Sequence, residues 1–173
     1  GMLDWAGNIN PLASGVKCAD KVTTVSWSYM DELRKNANGL EALFEFEKGK
    51  CVGILNGIDN EVWNPSTDTY IENRFTVKTV TKGKEQNKQI LCNQFGLDIT
   101  KPLFVFIGRL VGEKAADILP DAIRTAIHQT QGNACFLILG SGETSIEWEL
   151  QQMTNEYQGI YNAYIGYNEQ LSH

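Results

Sequence analysis

Residues 103–127 (LFVFIGRLVGEKAADILPDAIRTAI) join a short unbroken apolar run to a helical repeat, and that pairing restricts the fold more than any other stretch of the chain. The run 103–107 has no polar alternation, so it reads as a strand of a parallel sheet buried on both faces. Ile118, Leu119, Ala122, Ile123, Ala126 and Ile127 then recur at helical spacing and form one apolar stripe. Gly108 is expected to let the backbone turn sharply as the strand leaves the sheet, which puts Arg109 at its carboxyl end and Lys114 just before the helix. Ligands of open α/β sheets bind beyond the carboxyl ends of the strands, so Arg109 and Lys114 are placed to clamp an anion such as phosphate. Standing alone, such a pair is more often part of a solvated loop; the surrounding pattern has to carry the reading.

That pattern repeats. Strands are expected at 22–26, 51–55, 135–139 and 160–165, alternating with helical segments, which makes the fold α/β with a parallel sheet and flanking helices. Helices are expected at 28–36, after Ser26 or Ser28 as a cap, at 39–47, and at 81–95, where Gly96 follows as the left-handed terminator. Pro120 falls early in its helix, where a missing amide donor costs little. Residues 57–75 are dense in Asn, Asp, Pro, Ser and Thr and read as a boundary between two domains, 1–64 and 65–173. The first part has too few strands to stand alone and the second stops as a new helix begins, so both ends are expected to be internal to a longer chain. Gly1-Met2 reads as a cloning remnant.

Charge and cysteine usage narrow the function. With a net charge of -6 and no cationic run, the chain is not expected to bind nucleic acid. No apolar run approaches the roughly 18 residues of a membrane span. Cys18, Cys51, Cys92 and Cys135 are widely spaced without a CxxC pair, which fits buried structural thiols in a cytoplasmic protein.

Other motifs carry less. Gly140-Ser141-Gly142 follows a strand, but Ser145 stands where a dinucleotide fingerprint needs its third glycine, so a tight turn is the expected role. No phosphate-binding loop of the Gly-x4-Gly-Lys-Ser/Thr type occurs. His128 and His173 lack metal-ligand spacing, and no metal site is expected. Glu143, Glu147 and Glu149 read as a solvated helix face, and the scattered Trp5, Trp27, Trp63 and Trp148 as packing residues.

Several motifs taken in order are more specific. Ala19 to Ser26 (ADKVTTVS), Gly53 to Asp59 (GILNGID), Trp63-Asn64-Pro65 with Thr67-Asp68, Gly83-Lys84 with Asn87-Lys88, Phe106 to Leu110 (FIGRL) with Lys114, Leu139 to Gly142 (LGSG) and Ile165-Gly166-Tyr167 follow one another at consistent spacing. Over essentially its whole length the chain resembles the bacterial glycogen synthases and plant starch synthases. Two departures stand out: Ala115 replaces the glycine that usually follows the lysine, and Trp27 replaces the proline that usually follows the serine.

The resemblance implies a two-domain GT-B glycosyltransferase with Rossmann-like domains, which transfers glucose with retention from ADP-glucose, or UDP-glucose, to the non-reducing end of an α-1,4-glucan. It implies no metal and no cofactor. Residues 1–64 would be the tail of the N-terminal, acceptor-side domain, and 65–173 the first half of the nucleotide-sugar domain. Arg109 and Lys114 would grip the diphosphate, Gly108 and Gly140 would line the pocket, Gly140 in a turn, and Tyr167 would pack against the base. The family's N-terminal glycine-rich loop, its N-terminal-domain histidine and its Glu-x-x-Gly-Leu motif have no counterpart here, so the isolated chain is expected to be inactive. A sheet interrupted in this way exposes strand edges and is expected to self-associate. A non-catalytic binding module on the same fold is the competing reading, and a nicotinamide-dependent oxidoreductase a weaker one.

Overall fold

The computed structural model of the chain describes Asp4, Trp5 and residues 7–173. Gly1 and Met2, read above as a cloning remnant, lie outside the described residues. The chain forms two compact units, Gly1–Asp59 and Asn60–His173.

In the first unit an antiparallel pair, β1 (Asp4–Trp5) and β2 (Asn8–Ile9), leads into α1 (Pro11–Cys18). Asn10 caps α1 by accepting from the Ala13 amide at 3.0 Å, and Pro11 occupies a first-turn position that needs no donor. Two parallel strands, β3 (Val22–Thr24) and β4 (Cys51–Gly53), frame α2 (Trp27–Leu33) and α3 (Glu41–Phe46). β3 is shorter than expected because Ser26 leaves the ladder to cap α2, its Oγ accepting from the Tyr29 amide at 2.9 Å. Trp27 is thus the first residue of α2 and is 61% exposed, not packed. Ala13, Val16, Met30, Leu40, Leu43, Phe44 and Cys51 close the core of this unit.

The second unit opens on residues 60–79, which form turns, and continues into α4 (Val80–Phe95). Gly96 ends α4 at φ 63°, and the Leu97 amide returns to the Cys92 carbonyl at 2.8 Å, the left-handed stop expected of glycine there. Next come β5 (Leu103–Leu110), α5 (Leu119–Gln129), β6 (Cys135–Gly142), α6 (Thr144–Glu156), β7 (Tyr161–Ile165) and the single turn α7 (Glu169–Ser172). The strands form a parallel sheet in the order β5-β6-β7.

β6 lies in the middle, and its alternation divides the core into two layers. Cys135 and Leu137 join Cys92 and Leu97 on the α4 side, whereas Ile138 joins Ile123, Ile127, Leu150 and Met153 from α5 and α6. Tyr161 is buried among the latter and satisfies its hydroxyl by donating to the Leu150 carbonyl at 2.9 Å. Helices therefore cover both faces, as parallel sheets require.

β5 departs from expectation. Its apolar run was read as buried on both faces, but with β6 as its one described neighbour it is a sheet edge, and Phe104, Val105 and Ile107 are each more than half exposed. Cys18 likewise is exposed, while Cys51, Cys92 and Cys135 are buried free thiols. Burial pushes the Cys51 and Cys92 thiols up in pKa, away from reactive thiolate. No described helix is long and apolar enough to cross a membrane.

Candidate functional site

The predicted site residues meet at the carboxyl edge of the three-stranded sheet, by a different local geometry from the one the glycines suggested. Gly108 does not turn the chain: β5 runs on through Arg109 to Leu110, and Gly108 pairs with Gly140 inside the ladder. Gly140-Ser141-Gly142 is likewise the end of β6 and not a tight turn. The reason is contact distance. A Cβ on Gly140 would lie 2.1 Å from the Gly108 carbonyl oxygen, and one on Gly142 would lie 2.2 Å from that of Leu110. Glycine is needed here so that two strands can approach, a common use of glycine in strand interiors.

The row extends to the third strand. Gly140 pairs with Ile165, and the Gly166 amide donates to the Gly140 carbonyl at 2.8 Å, which delivers Tyr167 to the same edge with 84% of its surface exposed. Gly108, Arg109, Gly140 and the backbone leading to Tyr167 are thus brought together by the ladder itself.

Arg109 projects from the penultimate residue of β5 with its side chain 68% exposed, and its Nη2 donates to Glu113 Oε1 at 2.6 Å. Lys114 ends a 3-10 turn, Gly112–Lys114, and makes no salt bridge among the described residues. Ala115 follows in the left-handed region at φ 54°, ψ 28°, a conformation that costs a residue with a Cβ about 1–2 kcal/mol. This is the position where the resemblance leads one to expect glycine, and the backbone keeps the glycine conformation although the residue is alanine.

Two glutamates read from the sequence as a solvated face instead hold this edge together. Glu143 Oε1 accepts from the Gly112 amide at 3.0 Å, and Glu147 Oε1 accepts from the Gly142 amide at 2.7 Å. Glu149 pairs with Arg124 across α5 and α6 at 2.6 Å. Carboxylates at the start of a helix that follows a glycine-rich strand were the available signal, since free amides gather at that point.

A cavity of about 640 Å³ lies elsewhere, among Tyr70, Phe75, Lys84, Ile90, Leu103 and His173. It lies along α4 and residues 168–173, which follow the carboxyl end of β7, and touches β5 at Leu103, the first residue of that strand. In its lining His173, read from the sequence only as lacking metal-ligand spacing, is joined to Asp68 at 2.6 Å and stacks on Trp63. No group of three or more His, Cys, Asp or Glu side chains among the described residues is arranged to hold a metal ion. Chemically, the carboxyl edge offers two exposed cations and an exposed aromatic ring, a set suited to a negatively charged ligand with a planar group.

The starch synthase catalytic domain family matches residues 1–46. A glycogen synthase of Flavobacterium johnsoniae is 51% identical over all 173 residues, which span 37% of its length. A glycogen synthase of Hydrogenovibrio crunogenus is 35% identical over 99% of the chain, again across 36% of its own length. Among solved structures, the catalytic domain of Starch Synthase IV from Arabidopsis thaliana, bound to ADP and acarbose, superposes with a TM-score of 0.83 at 34% identity, over 95% of this chain and 34% of that one. The chain belongs to the glycogen synthase and starch synthase family, and it spans a little over a third of the length of the curated relatives it matches.

Proposed function

We propose that these residues form part of a retaining glucosyltransferase that moves glucose from ADP-glucose to the non-reducing end of an α-1,4-glucan. The observation that carries the reading is the convergence of Arg109, Lys114, Gly108, Gly140 and Tyr167 on one sheet edge, in a chain that superposes on a starch synthase solved with ADP and acarbose. Residues 1–64 are assigned to the acceptor-side domain and 65–173 to the first half of the nucleotide-sugar domain. UDP-glucose remains the alternative donor, and the cytoplasm is the compartment that suits both.

Arg109 and Lys114 bind the diphosphate. As the bond from the anomeric carbon to the diphosphate oxygen breaks, negative charge builds on the departing nucleotide, and the two cations stabilise that charge more than they stabilise the bound donor. Arg109 suits the planar, forked part of this contact and Lys114 the compact point charge. Gly108 and Gly140 keep the pocket floor free of side chains, and Tyr167 supplies the face on which the base packs. The exposed edge of β5 is the surface through which copies of the isolated chain would associate.

Calorimetric titration of ADP into the 173-residue chain, with Arg109→Ala as control and UDP and NAD as competitors, tests the reading. Binding of ADP that is lost in the Arg109→Ala chain and is not displaced by NAD is expected. Binding unaffected by that substitution would place the nucleotide elsewhere and remove the proposal.

A further inference from the structure

We propose that Glu143 is a positioning residue, which holds the turn that follows Arg109 and carries Glu113 and Lys114 against the end of β6; its link to catalysis rests on the nucleotide-sugar reading above. The geometry is a two-point clamp. The Glu143 amide donates to the Leu110 carbonyl at 2.8 Å, and its side-chain Oε1 accepts from the Gly112 amide at 3.0 Å. In a parallel ladder a residue whose amide donates to position 110 receives the amide of position 112 on its own carbonyl oxygen. The Glu143 carbonyl is instead turned to the Glu147 amide, from which it accepts at 3.0 Å as the first bond of α6, so its side chain supplies the missing acceptor.

The clamp extends the β5–β6 ladder by one rung at the point where β5 gives way to the 3-10 turn bearing Lys114. Glu147 does the equivalent on the other side by taking the Gly142 amide at 2.7 Å. Between them these carboxylates fix both strand ends, leaving Glu113 to orient the Arg109 guanidinium at 2.6 Å. Without the Glu143 carboxylate the Gly112 amide loses its described acceptor, and the turn keeps the backbone bond from Glu143 to Leu110 and its internal bonds, Lys114 amide to Val111 carbonyl at 2.9 Å, Ala115 amide to Gly112 carbonyl at 2.8 Å and Ala116 amide to Val111 carbonyl at 3.3 Å. The role needs an oxygen acceptor and not a negative charge, so glutamine should replace glutamate and alanine should not.

Amide hydrogen exchange by NMR on the 173-residue chain, paired with ADP titration of the same samples, tests this on the parent, Glu143→Ala and Glu143→Gln. Expected is exchange at Gly112 faster by about tenfold in Glu143→Ala, unchanged exchange at Gly142, near-parent exchange in Glu143→Gln, and equal melting temperatures. Where the parent binds ADP, Glu143→Ala should weaken it about tenfold and Glu143→Gln by no more than about twofold. Parent-like exchange at Gly112 in Glu143→Ala, or a Glu143→Gln chain as loose as Glu143→Ala, overturns the inference. A parent that binds no ADP counts against the nucleotide reading alone, because the exchange data still decide whether Glu143 holds the loop.

Discussion

Asp68 Oδ2 lies 2.6 Å from Nδ1 of His173, 105 residues further along the chain, and the imidazole is stacked on Trp63 at 3.9 Å and 9°. The contact fastens the turn-rich opening of the second unit to its last helical turn. Burial by itself would raise the Asp68 pKa, but the His173 hydrogen bond and the Tyr70 amide outweigh it, and the carboxyl titrates below its ordinary value. A depressed carboxylate contributes stability that is complete above the unfolded pKa, about 3.9, and is lost as pH falls through the lowered value. Asp68→Asn should therefore be less stable than the parent at neutral pH, and that difference should shrink as pH falls below about 4 and through the lowered value. Denaturant unfolding across that range checks it; a constant difference would mean that the carboxylate charge has no part in the clasp.

Ala115 pays a backbone cost at φ 54° that glycine would not. Ala115→Gly should raise stability by about 0.5–1 kcal/mol, the relief of left-handed strain being partly offset by glycine's greater freedom in the unfolded chain. Urea midpoints at constant slope give the sign, and a loss of stability would show that the turn carries no such strain.

Gly140 and Gly112 make a matched pair of tests. An alanine methyl at Gly140 meets the Gly108 carbonyl oxygen at 2.1 Å, while at Gly112 the nearest atom, Glu143 Oε1, is 4.0 Å away. Gly140→Ala should cost about 1–3 kcal/mol or more, and Gly112→Ala should stay within about 0.5 kcal/mol. Equal costs in thermal or denaturant unfolding would contradict the close approach of β5 and β6.

Much of this architecture was legible locally. Gly96 ended α4 where a left-handed residue was expected, Pro120 sat in the first turn of α5, and Ser26 capped α2, because each signal is written within a few residues. The position of Arg109 and Lys114 at the carboxyl end of β5 was legible for the same reason, as cations following an apolar strand. Gly108 and Gly140 were placed in the right row but for the wrong reason: a glycine at a strand end suits a turn and a close approach equally, and only the neighbouring strand distinguishes them. Nothing local marks the Asp68–His173 contact. Glu143 and Glu147, which bind amides, differ from glutamates that face water only in opening a helix directly after a glycine-rich strand, a signal that was passed over.

Arg124 shows what an exposed charge network contributes. Its Nη1 meets Glu149 at 2.6 Å, Nε lies 3.9 Å from Glu156, and the side chain is about one-third exposed. The Glu149 hydrogen bond is the main influence raising the Arg124 pKa, so the guanidinium stays charged at any working pH. With solvent screening on both partners, a double-mutant cycle of Arg124→Ala and Glu149→Ala should return a coupling of about 0.5–1 kcal/mol, smaller at high salt. A coupling near zero at low salt would remove the pair as a link between α5 and α6.

The central claim is that the cations at the end of β5 grip the donor diphosphate in a glucosyltransferase. The most direct test is a chimera in which residues 1–173 replace the matching 37% of the Flavobacterium johnsoniae glycogen synthase. Transfer of glucose from ADP-glucose to glycogen is then followed with and without Arg109→Ala and Lys114→Ala. The account predicts an active chimera whose kcat/KM falls by about 10² or more in each variant, with loss in kcat as well as in KM. An active chimera that tolerates both substitutions would contradict it.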